Sequence, residues 1–316
     1  MNPPALTAAL LTPDDFSTIR KTAEVIASQS IASSIEMLVL TPAPDRLDAD
    51  PRILSRLHSL KVVKADLTHG SGPVRASAVR EASAPVIVFG EDHCFPSDGW
   101  AEALLRAHEG EWVAVGPVVT NANPESLVSW ADLLIGYGPW LAPGKSMERD
   151  HLPGHNSSYK RSVLLDLGAK LDDLMEAESA LQWKLRDRGH SLYQESAARV
   201  AHTNFDTWSV WIPVSYHSGR VFASTRVIGW SALKRLAFMA GSPLIPLVRL
   251  WRHLRQAGDA GIPLGLLCRV TPVLVAGLVV NAVGQAIGTI AGAGSSRSTL
   301  VEWDFHRNMP RTPVLP

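Results

Sequence analysis

The chain has 316 residues, 46% of them hydrophobic and 19% charged, which supports a substantial buried core and excludes disorder as the main state. Its 30 basic residues balance 30 acidic ones, and a formal net charge of zero gives no reason to expect a nucleic-acid partner. Two cysteines, Cys94 and Cys268, lie far apart in unlike surroundings, so a disulfide framework is not expected and a reducing compartment is the simpler assumption.

The N-terminus lacks a basic stretch followed by a long apolar core, so the first part of the chain is expected to stay on the side of the membrane where it is made. Ala5 to Leu11 reads as a strand stopped by Thr12-Pro13-Asp14-Asp15. Phe16 to Ser30 follows with helical spacing at Ile19, Ala23, Ile26 and Ala27. Ile35 to Leu40 is a second strand, and Pro42, Pro44 and Pro51 break the chain before a helix expected near Ile53 to Leu60. Lys61 to Lys64 is a third strand, Val74 to Ala82 a helix, and Val86 to Phe89 a strand apolar enough to be covered on both faces. This alternation predicts an α/β fold with a mostly parallel sheet.

Trp100 to His108 reads as a further helix and Trp112 to Val119 as a further strand. Residues 120–153, which contain Asn121, Asn123, Pro124, Trp130, Trp140, Pro143 and Gly144, read as a loop-rich surface where a substrate could bind. Arg161 to Leu167 and Ala177 to Arg188 have helical character. From about residue 228 apolar runs are punctuated by Arg and Lys, and Trp230 to Leu254 fits a pair of interfacial helices whose basic residues would sit among anionic headgroups. No charged residue occurs between Arg269 and Arg297, a gap long enough to cross the ~30 Å hydrocarbon layer, although a buried core helix can look similar. Gly284, Gly288 and Gly292 recur every four residues, which would let another helix approach closely.

The chemistry concentrates where the fourth strand ends. Gly90-Glu91-Asp92-His93 places potential metal ligands at the carboxyl end of a strand, the end at which open α/β sheets bind their ligands. A polar turn closing a strand would use similar residues. Three later segments follow: Gly154-His155-Asn156-Ser157, then Glu176-Ala177-Glu178 running into Trp183-Lys184-Leu185, then Ala198 to His202, a strand ending in histidine.

In this order the segments resemble the inverting family 2 glycosyltransferases of GT-A fold, over about residues 5 to 225, with a membrane-associated tail of the kind bacterial members carry. The resemblance implies a nucleotide-diphospho-sugar transferase fold with a C-terminal membrane-associated helical region. It divides the chain into a catalytic domain over 1–225, interfacial or transmembrane helices over 226–296 and a tail over 297–316. It places Glu91 and His93 at the family's Asp-x-Asp metal motif, with His202 completing a ligand set and Asp92 behind it or as an alternative ligand. An imidazole in that set favours Mn²⁺ over Mg²⁺. Glu178 falls where the family carries its catalytic general base, with Glu176 one turn away as the fallback. Both could instead simply begin a helix, where acidic residues are favoured. Thr12, Pro13, Asp14 and Glu36 fall near the family's nucleotide contacts, and Arg75 and Asn156 near its donor. The family's Asp-Gly-Ser signature is absent, with Leu40-Thr41-Pro42-Ala43 in its place, and so is the Gln-x-x-Arg-Trp of processive synthases.

The resemblance therefore implies transfer of a single sugar from a nucleotide-sugar donor to a lipid-linked or envelope glycan acceptor, on the cytoplasmic face of the cell membrane. A rival expectation is a membrane-anchored binding or assembly protein that keeps the fold without the chemistry. A third is a soluble transferase whose tail packs as a dimer interface.

Overall fold

The structure is a computed structural model that describes residues 2–66, 71–176, 178–305 and 307, with backbone only at 178, 301, 302 and 304. The chain divides into two compact units, one of residues 1–120 and 142–202, the other of residues 121–141 and 203–316.

The first unit opens with the expected alternation: β1 (Leu6–Leu11), α1 (Phe16–Ala27), β2 (Ile35–Thr41), α2 (Pro51–Leu54), β3 (Ser59–Lys64), α3 (Ser71–Glu81) and β4 (Val86–Phe89). These strands pair in parallel, Leu6 lying opposite both Ile35 and Val86, and Glu36 opposite Ser59. β1, β2 and β4 are almost wholly buried, as strands covered on both faces must be. Asp15 caps α1, its carboxylate accepting from Ser17 N at 2.7 Å, which fixes where strand gives way to helix. The helix expected over 53–60 is corrected to a single turn. Ser59 and Leu60 instead extend β3, because pairing with Glu36 and Met37 satisfies their backbone in the sheet.

The unit continues through β5 (Cys94–Pro96), α4 (Trp100–His108) and β6 (Ala114–Asn121), the last ending as the boundary between the units is reached. After residue 141 come β7 (Met147–Arg149), β8 (Ser158–Lys160), α6 (Arg161–Leu165), α7 (Leu171–Leu174), α8 (Glu178–Asp187) and β9 (Leu192–His202), taking up after the intervening α5 (Leu127–Tyr137). The sheet order is β3-β2-β1-β4-β8-β6-β9-β5, with β7 also on β9. β8 runs antiparallel to both β4 and β6, so the parallel half passes into an antiparallel half beside the end of β4.

α5 corrects the reading of 120–153 as loop. Ser126 caps it by accepting from Val128 N and Ser129 N, and Leu133 and Leu134 are buried. The Asn and Pro residues that suggested a loop flank this helix rather than interrupt it.

In the second unit α5 joins α9 (Trp208–Arg226), α10 (Ala232–Gly241), α11 (Ile245–Asp259), α12 (Leu264–Ala291) and α13 (Ser296–Asp304). α9 thus packs with the helices that follow it. α12 lies against α9 with almost no room between backbones: a Cβ on Gly284 would sit 2.1 Å from the Tyr216 carbonyl oxygen, and one on Gly288 2.2 Å from that of Arg220. The helix those glycines admit therefore belongs to the same chain. Gly292 does something else, ending α12 at φ +70° with open space around it. α12 is long and apolar enough to cross a membrane by length and composition. Its packed face is nonetheless polar in part. The buried Asn281 accepts from Arg249 Nη1 at 2.6 Å and from Gln285 Nε2 at 2.8 Å, and donates to the Ser215 carbonyl at 3.0 Å.

Candidate metal centre

The site lies wholly in the first unit, at the carboxyl end of β4. Gly90 N donates to the Ala9 carbonyl at 2.9 Å, one residue beyond the ladder, and a Cβ there would meet Leu10 Cδ2 at 2.7 Å. That close approach lets the chain leave the sheet sharply and turn Glu91, Asp92 and His93 inward. Thr22 of α1 fastens the turn, its hydroxyl donating to the Glu91 carbonyl at 2.9 Å. The chain then enters β5, which pairs antiparallel with β9 so that Cys94 lies opposite His202. This register brings His202 beside His93, their rings edge to face with centroids 5.0 Å apart. Glu91, His93 and His202 are all buried, and one ligand atom from each lies within 4.8 Å of the others.

Each donor is held from behind. His93 Nδ1 is 2.6 Å from Asp92 Oδ1 and its Nε2 is 3.3 Å from Glu91 Oε1; Asp92 holds a proton on Nδ1, which leaves Nε2 as the nitrogen that would ligate a cation. Asn156 Nδ2 donates to Glu91 Oε2 at 2.9 Å. Asn156 is reached through a left-handed turn, φ +62°, that asparagine tolerates, and its own N–H donates to the Phe89 carbonyl at 2.8 Å. β8 follows directly, with Ser158 paired to Val88, so the sheet sets where this amide points. His155 Nδ1 lies 3.2 Å from Glu91 Oε1, and Arg75 Nη2 of α3 lies 3.2 Å from His155 Nδ1 and 3.3 Å from its Nε2, so the guanidinium stands against the ring edge that faces the carboxylate.

Burial by itself would raise the Glu91 carboxyl. The imidazoles of His155, His93 and His202, when they carry their protons, together outweigh it and hold Glu91 well below the usual carboxylate range, so that it is ionised before any cation takes the place of those protons. An anionic oxygen facing two imidazole nitrogens suits a divalent cation. Ligands about 2.1 Å from an ion stand about 3 to 4 Å from one another, a spacing these three atoms reach with small movements. Two nitrogens and one oxygen favour a transition ion such as Mn²⁺ over Mg²⁺.

The other candidates separate. Thr12, Pro13 and Asp14 follow β1 at the same end of the sheet as Glu91; Thr12 N donates to the Leu40 carbonyl, and its hydroxyl donates to that of Asp15 at 2.9 Å. The structure does not bring Glu36 to this end, which corrects its assignment to the nucleotide. Glu36 lies near the start of β2, buried, accepting from the Thr7 hydroxyl and from Ser83 N at 2.8 Å; an unpaired carboxylate there would be costly. Glu176 is engaged elsewhere, its Oε2 accepting from Gly72 N at 2.8 Å in the first turn of α3. The side chain of Glu178 lies outside the described residues. Sequence reasoning did not single out Thr22 or assign a role to His155. A hydroxyl one residue off an apolar helical stripe gave no signal for the first, and the Gly-His-Asn turn gave only its position for the second.

No protein-family model and no curated protein match the chain by sequence. Its architecture does have counterparts. A mannosyltransferase from Pyrobaculum calidifontis, PcManGT, solved with GDP-Man and Mn²⁺, is similar over 90% of this chain and 88% of its own, with 16% identity and a TM-score of 0.56. The chain has the GT-A fold. Looser likenesses, with TM-scores of 0.46 and 0.45, are S. aureus TarS 1–349 in complex with UDP (14% identity, 93% of this chain and 92% of that one) and GalNAc-T7 with UDP, GalNAc and Mn²⁺ (12%, 64% and 44%). The chain spans less than half the length of the GalNAc-T7 structure and most of the other two. The fold expected from the motifs is the one found.

Proposed function

We propose that this chain is an inverting glycosyltransferase that moves a single sugar from a nucleotide-sugar donor to a lipid-linked or envelope glycan acceptor at the cytoplasmic face of the cell membrane. The buried Glu91, His93 and His202 set, at the carboxyl end of a GT-A sheet, carries the reading. In it these three residues hold a divalent cation, Mn²⁺ before Mg²⁺. The cation, when bound, supplies positive charge against the departing diphosphate. Asp92 keeps His93 in the ligating tautomer, and Asn156 and His155 keep the Glu91 carboxylate aimed. Arg75 offers a guanidinium to the donor's phosphates, and Thr12, Pro13 and Asp14 meet the nucleotide. Glu178, or Glu176 if its bond to Gly72 is given up, takes the proton from the acceptor hydroxyl. The acceptor oxygen then bonds to C1 as the C1–phosphate oxygen bond breaks, its electron pair leaving with the diphosphate; attack from the opposite face inverts the anomeric centre. α10 to α12 attach the protein to the membrane.

Calorimetric titration with UDP and with GDP, each with and without Mn²⁺, tests this reading; GDP is included because PcManGT was solved with GDP-Man. Nucleotide binding that requires Mn²⁺ and is lost in His93→Ala and His202→Ala is the expected result. Metal-independent binding, or none to either nucleotide, overturns it in favour of a non-catalytic GT-A protein.

A further inference from the structure

A helix on a soluble protein turns its apolar side inward and its polar side to water. The second half of α12 does the reverse, and α11 exposes large apolar residues beside Arg252 and Arg255. On α11, Leu247, Val248 and Trp251 are 63%, 54% and 64% exposed, while Arg249 and His253 turn inward. On α12, Asn281, Gln285 and Thr289 are buried, and every exposed residue from Pro272 to Ile290 is apolar: Pro272, Val275, Val279, Val283 and Ile290. Exposed apolar stripes backed by buried polar groups belong against a non-aqueous medium.

The charge of this region selects which medium. Residues 207–301 hold nine Arg or Lys against the single acid Asp259, in a chain that is neutral as a whole. The basic residues are interleaved with the apolar ones: Lys234 Nζ lies 4.3 Å from the Trp230 ring centroid, and Arg255 flanks Trp251. Cations beside tryptophans suit the headgroup layer of an anionic membrane, where the ring sits at the interface and the charge meets lipid phosphate.

Crossing the bilayer is a different matter. α12 is about 42 Å long, and Asn281 lies about 5 Å from its midpoint. Arg249 Nη1 is bonded to Asn281 Oδ1, so the middle of α11 is pinned at that depth. Arg252, exposed and one turn from Arg249, would then stand inside the ~30 Å hydrocarbon layer with no acid beside it in α11, a placement membranes reject. Resting on α12's membership of the membrane part of the proposed function, we infer that the second unit lies on one leaflet of an anionic membrane, with α10, α11 and α12 in the interface plane and none of them crossing.

Two measurements on the full chain test this. In vesicle flotation, the protein is expected to float with phosphatidylcholine vesicles containing phosphatidylglycerol and to partition about 30-fold less well after Arg252→Gln with Arg255→Gln, while Mn²⁺-dependent nucleotide binding is unchanged. In sealed inside-out vesicles from cells expressing a Cys268→Ser background, a membrane-impermeant maleimide is expected to label cysteines introduced one at a time by Asp259→Cys and Ser298→Cys, exposed polar positions on either side of α12. Labels on opposite sides of the membrane would overturn in-plane attachment and leave membrane attachment standing. Failure to float with either lipid, with dimers formed through Trp251 and lost in Trp251→Glu, would overturn both and assign the face to a second copy of the chain. Equal flotation with phosphatidylcholine alone would overturn the anionic preference.

Discussion

Removing the Asp92 carboxylate isolates how the site holds a metal ligand in place. Asp92 itself need not touch the ion; its Oδ1 sits 2.6 Å from His93 Nδ1, with both side chains less than a tenth exposed. A bond this short to a charged acceptor in a dry setting holds one tautomer and one ring orientation. Asp92→Ala frees the imidazole to rotate and to carry its proton on the nitrogen that faces Glu91. Losing a partner of this kind costs 10- to 100-fold in metal affinity, which is about 1.4 to 2.7 kcal/mol. The assay is competition of Mn²⁺ against a fluorescent chelator with metal-free protein, alongside a thermal melt to confirm that the fold persists. Mn²⁺ affinity within twofold of wild type would refute the argument and mean that His93 is oriented by contacts other than Asp92, its packing against His202 among them.

Three further outcomes follow from the packing. Glu36→Gln is expected to destabilise the protein by about 1 to 3 kcal/mol in urea titration while leaving Mn²⁺ affinity unchanged, since its partners are Thr7 and Ser83 at the other end of the sheet. Gly284→Ala is expected to cost about 1 to 3 kcal/mol because its methyl meets the Tyr216 backbone, whereas Gly136→Ala, with open space around it, is neutral or stabilising in the same melt. His108, buried against the Ser158 hydroxyl at 2.8 Å, is pushed down from 6.5 to about 4, by burial first and by the Lys160 charge second. Its neutral form is the folded form, so its contribution is complete above pH 6.5 and lost as pH falls from 6.5 toward 4, to a total of about 3 kcal/mol. His108→Asn is expected to flatten the stability-versus-pH curve across that interval, and an unchanged slope would refute the assignment.

The parallel half of the sheet and the Glu91–His93 turn were legible in the sequence because both rest on local pattern: apolar strands, helical spacing, and ligand-type residues where a strand stops. His202 was legible only through its order among the motifs, since nothing local announces that β9 pairs with β5 and brings residue 202 beside 93. Glu36 shows the opposite failure. A carboxylate in a buried strand looks functional in sequence, and only the Thr7 and Ser83 contacts show that it closes the amino end of the sheet. α5 was hidden by its flanks, where Asn and Pro outweighed the apolar run between them. The glycine repeat pointed correctly to close helix packing, but sequence spacing carries no information on whether the partner helix lies in the same chain.

β5 is only three residues long and ends the sheet order, held there by β9. Ligands standing on both sides of that pairing make the ion a clasp on the sheet's last joint. By thermodynamic reciprocity, whatever the closed β5–β9 pair contributes to metal affinity, the bound metal returns as resistance of that pair to opening. The amides of residues 94–96 and 200–202 are therefore expected to exchange more slowly with solvent when Mn²⁺ is present, so the edge of this fold is only as firm as the metal supply allows.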